Sequence, residues 1–140
     1  MADGSGSKQS SKASYQAAEY VFTMDKTTVS SHVLEMGDSG KTYFIESTIA
    51  RTITLPAVKA GLKFKFIMSD TSADSSIATS EGTALFVGAA ECGDAYLTLA
   101  GTTIVCELAG SVGDWLEMVC DGNYWYVSGH GAHDASFSVS

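Results

Sequence analysis

No apolar run in this chain approaches the roughly 18–20 residues that a helix needs to cross a bilayer, so no membrane partner is expected. Residues 1–8 hold no apolar core of the kind that directs export, and a chain that stays in the cytosol is the expectation. No CxxC pair occurs: Cys92, Cys106 and Cys120 stand fourteen residues apart, which argues against a zinc site or a thioredoxin-like redox centre. Catalytic signatures are missing as well. There is no GxSxG elbow, no histidine in a triad context and no glycine-rich phosphate loop. The reading therefore assigns no catalytic, cofactor-binding or metal-binding residues, expects no cofactor, and takes the protein to be no enzyme.

Charge is scarce too, at 17% of residues, and its balance is acidic, with a net charge of −8. An acidic body repels phosphate backbones, so no nucleic-acid partner is expected. Arg51, Lys59, Lys63 and Lys65 lie close in sequence and alternate with Leu62, Phe64 and Phe66, the pattern of one solvated strand face rather than a binding patch. His130, His133 and Asp134, with His32 as a distant third imidazole, form the one metal-like grouping. A metal needs three or four fixed donors, which a glycine-hinged segment does not supply, so these read as solvated residues. Asp114, Glu117 and Asp121 cluster near a hairpin and read as its solvated ends, not as a paired acid and base.

What the chain does contain is short extended segments. At 140 residues it fits one domain, able to bury about 68–70% of its unfolded surface. Alternating apolar and polar residues mark strands at about 27–36, 41–46, 50–55, 62–68, 76–79, 83–87, 95–99, 102–107, 115–120 and 124–128, separated by Gly-, Asp- and Ser-rich turns and by Gly88 and Gly101. Connections this short predict mostly antiparallel neighbours. The strongest local signal is Trp115 to Cys120, then Asp121-Gly122-Asn123, then Tyr124 to Ser128, a hairpin closed by residues that tolerate positive φ.

Alternation places Leu62, Phe64, Phe66 and Met68 inward with Lys63 and Lys65 opposite. It also points Ile53 and Leu55 inward and away from Arg51, and sets Trp125 and Val127 against Leu116 and Met118. Trp125 reads as core, with Tyr124 and Tyr126 as candidate surface contacts. Cys106 and Cys120 sit among apolar neighbours, where free thiols behave as small hydrophobes; whether any of the three cysteines pair stays open. The predicted fold is all-β, an antiparallel β-sandwich (jelly-roll-like) or partly closed barrel, spanning residues 27–129. A flexible N-terminal arm (1–26) precedes it. A glycine-hinged C-terminal tail (130–140) follows, whose Ser-alternating end is suited to adding to a sheet edge in its own subunit or a neighbour.

The segment Gly40-Lys41-Thr42-Tyr43-Phe44-Ile45-Glu46 through Arg51-Thr52-Ile53-Thr54-Leu55-Pro56, then Ala60-Gly61-Leu62-Lys63-Phe64-Lys65-Phe66-Ile67 and the closing Gly113-Asp114-Trp115 and Asp121 to Gly129, resembles small β-rich structural proteins of tailed-phage virions. Such proteins include capsid decoration (cement) proteins and head- or tail-fibre domains. The resemblance implies a bacteriophage structural protein, often a homotrimer, docked by a terminal arm on the major capsid protein at the virion's capsid surface after assembly in the host cytoplasm. The alternative it carries is a fibre domain that binds host glycans through exposed Tyr and Trp.

Overall fold

The computed structural model describes residues 21–23 and 30–140. These form twelve strands: β1 (Val21–Thr23), β2 (Ser31–Val33), β3 (Thr42–Glu46), β4 (Arg51–Thr54), β5 (Lys63–Asp70), β6 (Ser75–Ala78), β7 (Phe86–Cys92), β8 (Ala95–Thr98), β9 (Thr103–Cys106), β10 (Trp115–Cys120), β11 (Trp125–Gly131) and β12 (Phe137–Val139). The only helical element among the described residues is a 3-10 turn at Met36–Asp38. Two sheets pack face to face without closing into a barrel, a β-sandwich. One has seven strands in the order β1-β3-β5-β10-β11-β7-β8, the other five in the order β12-β9-β6-β4-β2.

Both sheets are mixed. From β1 to β6 the chain alternates between them, so that Val21, Thr42 and Lys65 lie level in one sheet while Ser31, Thr52 and Ser76 lie level in the other. Each of these pairings is parallel, and so is β7 with β11. Mostly antiparallel neighbours were expected because a parallel pair needs a long crossover. Here the crossover is itself a strand: β4 in the opposite sheet carries the chain from β3 round to β5, so short connections and parallel pairing coexist. From β7 onward hairpins take over, with β7–β8 and β10–β11 antiparallel, and β5–β10 and β6–β9 sealing the two parts together.

The core follows the alternation. Leu62, Phe64, Phe66 and Met68 are buried along β5, Leu116 and Met118 along β10, and Trp125 and Val127 along β11. Val127 stands opposite Met118, while Trp125 stands opposite Cys120. Tyr43, Phe64, Phe66 and Trp125 make one aromatic cluster, in which the Phe64 ring centroid lies 5.9 Å from that of Trp125 and 6.4 Å from those of Tyr43 and Phe66. Burying each large apolar side chain contributes about 1.5–3 kcal/mol, and offset or tilted ring pairs add about 0.5–1.5 kcal/mol. Cys92, Cys106 and Cys120 are free and buried; burial pushes the Cys106 thiol up to about 12.

Four expectations need correction. Arg51 is not solvated: it is 1% exposed, because residues two and four apart on a strand share a face and Arg51 therefore points inward with Ile53 and Leu55. Its Nε donates to the Glu46 carbonyl at 2.7 Å. Gly88 does not break a strand but lies inside β7, at φ +139°, where a Cβ would collide with the Val127 carbonyl oxygen of β11; glycine is required there for close passage of two backbones. Asp114 is buried rather than solvated, at 3% exposure. Residues 130–140 are no hinged tail: His130 and Gly131 continue β11, and β12 pairs antiparallel with β9, placing Phe137 in the core. Of the two roles considered for that segment, addition to its own sheet edge is the one found. The expected arm, residues 1–26, and the start of the strand expected at 27–36 lie outside the described residues except for β1.

Candidate functional site

Parity along the strands decides which side chains face outward, and it gives the two sheets different outer surfaces. On the five-stranded sheet, Ser31, Thr52, Ser76, Val105 and Ser138 form one cross-strand row and Val33, Thr54, Ala78 and Thr103 another. This face is built of small hydroxyl and aliphatic groups with no charge in either row.

The seven-stranded sheet presents aromatic and charged groups. Phe44, Ile67, Trp115, His130, Glu91 and Tyr96 form one row, and Val119, Tyr126 and Val87 another. Tyr96 is 78% exposed, and Tyr126, Tyr124, Val119 and Val87 are also exposed. Trp115 is half-buried, its ring covered by Lys65 with Nζ 4.9 Å from the centroid, a cation–π contact. Large apolar groups are exposed on the other sheet and in loops as well, at Val33, Leu108 and Val112, but exposed tyrosines gather on this face, and Tyr is a residue type enriched in binding interfaces.

The hairpin turn beside it is fixed electrostatically. The Asp121 carboxylate accepts the backbone N–H groups of Asn123 and Tyr124, each at 2.8 Å. Those amides, with Tyr124 the stronger, hold the Asp121 carboxyl below its usual range. The same carboxylate raises the Tyr126 phenol by hydrogen bonding and by its charge. Tyr96 donates its hydroxyl to Glu91 at 3.4 Å.

The residues weighed from sequence are not brought together. His130 Nδ1 lies 3.7 Å from Glu91 Oε1, the His133 amide donates to Ser136 Oγ, and Asp134 accepts the Asp94 amide at 3.2 Å. His32 packs against Tyr43, with ring centroids 6.1 Å apart. Among the described residues no group of three or more His, Cys, Asp or Glu side chains is placed to hold a metal ion. Asp114 and Asp121 sit at opposite ends of β10, and Asp114 is used structurally: its two oxygens accept the Ser111 and Ala132 amides, each at 2.9 Å, clamping the turn before β10 to the residue after β11. A shallow, open hollow lined by Gly93, Asp94, Ala132, His133 and Asp134 lies nearby.

Trp125 is fully buried, and Tyr124 and Tyr126 are exposed, as read from sequence. Val87, Tyr96 and Val119 went unnoticed; counting outward from Leu116 and Met118 would have identified Val119, whereas Val87 and Tyr96 depend on the position of Gly88. No family model matches the chain, and neither a curated protein nor a solved structure matches it.

Proposed function

We propose that the chain is a non-enzymatic virion structural protein, a decoration or cement subunit that binds the outside of a bacteriophage's major capsid protein lattice and stabilises the head, acting as a homotrimer. The observation that carries the reading is the outer face of the seven-stranded sheet, where Tyr126, Val119, Val87 and Tyr96 are displayed beside the Lys65-covered Trp115 on a sandwich with few charged residues. A stable protein interface needs such desolvated aromatic anchors more than it needs charge. A sandwich with its core filled from both sheets supplies a rigid platform for them and requires no cofactor, membrane or nucleic acid.

The same tyrosines favour a second reading, a head- or tail-fibre domain that stacks host glycans on Tyr124 and Tyr126. Electron microscopy of purified particles separates the two. Density repeated across the capsid lattice, weakened when residues 1–14 are deleted, is the expected result. Density confined to fibres would replace the first reading with the second, and a protein absent from particles would remove both.

A further inference from the structure

Among the described residues β8 is the longest of the strands that end a sheet, and it pairs only with β7. Natural edge strands are usually guarded against further pairing by lysine, proline, an inward charge or a bulge. β8 reads Ala-Tyr-Leu-Thr and runs in regular register with β7, so it carries none of these guards. Tyr96 is 78% exposed on it, and Ala95 and Thr98 are exposed as well.

Pairing with β7 fixes where the backbone groups of β8 point. The Leu99 N–H donates to the Gly88 carbonyl at 2.9 Å, one residue pair beyond Thr98 and Ala89. Bonded and non-bonded pairs alternate along an antiparallel ladder, so Ala95 and Leu97 turn their N–H and C=O groups towards β7. Those of Tyr96 and Thr98 turn away from it. The open edge therefore presents a donor and an acceptor at Tyr96 and again at Thr98.

We infer that this edge pairs antiparallel with β8 of a second copy, about a two-fold axis that passes through Leu97. In that register the edge is complementary to itself. Tyr96 of each copy stands opposite Thr98 of the other, so the open N–H groups of one meet the open carbonyls of the other. Opposed residues share a face, which keeps Tyr96 and Thr98 outward and brings the two half-buried Leu97 side chains together on the inner side. An axis through Tyr96 would instead require Asp94 to pair with Thr98, and the Asp94 amide already donates to Asp134 Oδ1 at 3.2 Å.

Charge favours the same arrangement. β8 has no charged residue, while Asp94 and Asp134 lie at the β7–β8 turn. Antiparallel pairing sends the two copies' turns to opposite ends of the contact. Parallel addition would set them side by side, where like charges are penalised. A two-fold contact also closes on itself, so the unguarded edge is occupied by one partner and does not propagate. A four-residue edge is small by the standard of stable dimers, so pairing needs a high local concentration. The inference is independent of the decoration reading; under that reading the two-fold joins neighbouring trimers instead of closing one.

Disulfide trapping on the full chain at high concentration tests it, because Cys92, Cys106 and Cys120 are buried and leave introduced cysteines to report alone. On the axis Leu97 faces itself as a non-hydrogen-bonded pair with Cα atoms about 4.5 Å apart, within disulfide range. Leu97→Cys should therefore cross-link to itself under mild oxidation. Tyr96→Cys and Thr98→Cys should link when mixed, roughly tenfold faster than either does alone, since each opposes the other and not itself. Thr98→Pro removes an N–H that β7 does not use; combined with Leu97→Cys it should slow cross-linking roughly tenfold while circular dichroism stays unchanged. Linking at Leu97→Cys no faster than at the exposed loop variant Val112→Cys overturns the inference, and so does Tyr96→Cys linking alone as fast as in the mixture. Particle binding is scored separately: cross-linking in solution without attachment retains the contact and removes the decoration role, and attachment without cross-linking does the reverse.

Discussion

Residues 21–78 and residues 86–139 build one sandwich by different windings. In the first region consecutive strands never pair; each lies in the sheet opposite to the one before it, and its neighbours from within the region arrive one full circuit earlier or later, always parallel. In the second, β7–β8 and β10–β11 turn directly back on themselves. The hairpins draw their register from turn chemistry that is complete within a few residues, as where Asp121 accepts two amides and Gly122 takes φ +102°. The wound region has no such local instruction. Its register is set by which side chains fit a core shared with the hairpins, above all the ring cluster that joins Tyr43, Phe64 and Phe66 to Trp125.

The comparison is most severely tested where the two regions touch. Phe64→Ala should cost about 3–5 kcal/mol and lower the stability of both regions together. Urea unfolding followed by tryptophan fluorescence and by far-ultraviolet circular dichroism should give coincident transitions, and two separated transitions would mean that the regions do not share a core. A smaller effect is expected at the parallel contact inside the hairpin region. Gly88→Ala drives a Cβ against the Val127 carbonyl and should cost roughly 2 kcal/mol or more, whereas Gly82→Ala, at φ +69° with open space around it, should cost only about 1 kcal/mol. Equal losses at the two glycines would deny the close β7–β11 approach.

The smallest effect belongs to the turn. Asp121 has its folded-state pKa depressed below the ordinary 3.8, so its contribution is present above that pH and disappears as pH falls through the lower folded value. The amide resonances of Asn123 and Tyr124 should titrate with a midpoint below 3.8; a midpoint at or above it would show that the carboxylate does not organise the turn.

These differences also explain how much was legible in the sequence. The β10–β11 hairpin and the inward face of β5 could be read directly, because alternation and turn residues act over a few positions. Pairing in the wound region could not: Thr42 meets Lys65 through the packing of an entire circuit, and nothing near either residue announces it. Arg51 was misplaced by residue type, since its charge suggested solvent while its parity with Ile53 and Leu55 dictated the core. Gly88 was misread because glycine marks both turns and close backbone approaches. The outer aromatic face was half visible, at Tyr124 and Tyr126. The rest of it, Val87 and Tyr96, emerges only once β7 and β8 are placed beside β11.

The order of strands in space imposes an order in time during synthesis. β5 obtains its second neighbour only when β10 has been made, and β9 obtains its outer one only with β12. A nascent chain leaving the ribosome therefore holds Phe64 and Phe66 beside an open sheet edge until β10 has emerged, and Phe137 seats in the core only after β9 is in place. Until β10 and β12 are in place, the aromatic interior of the sandwich is the surface on which a chaperone would act.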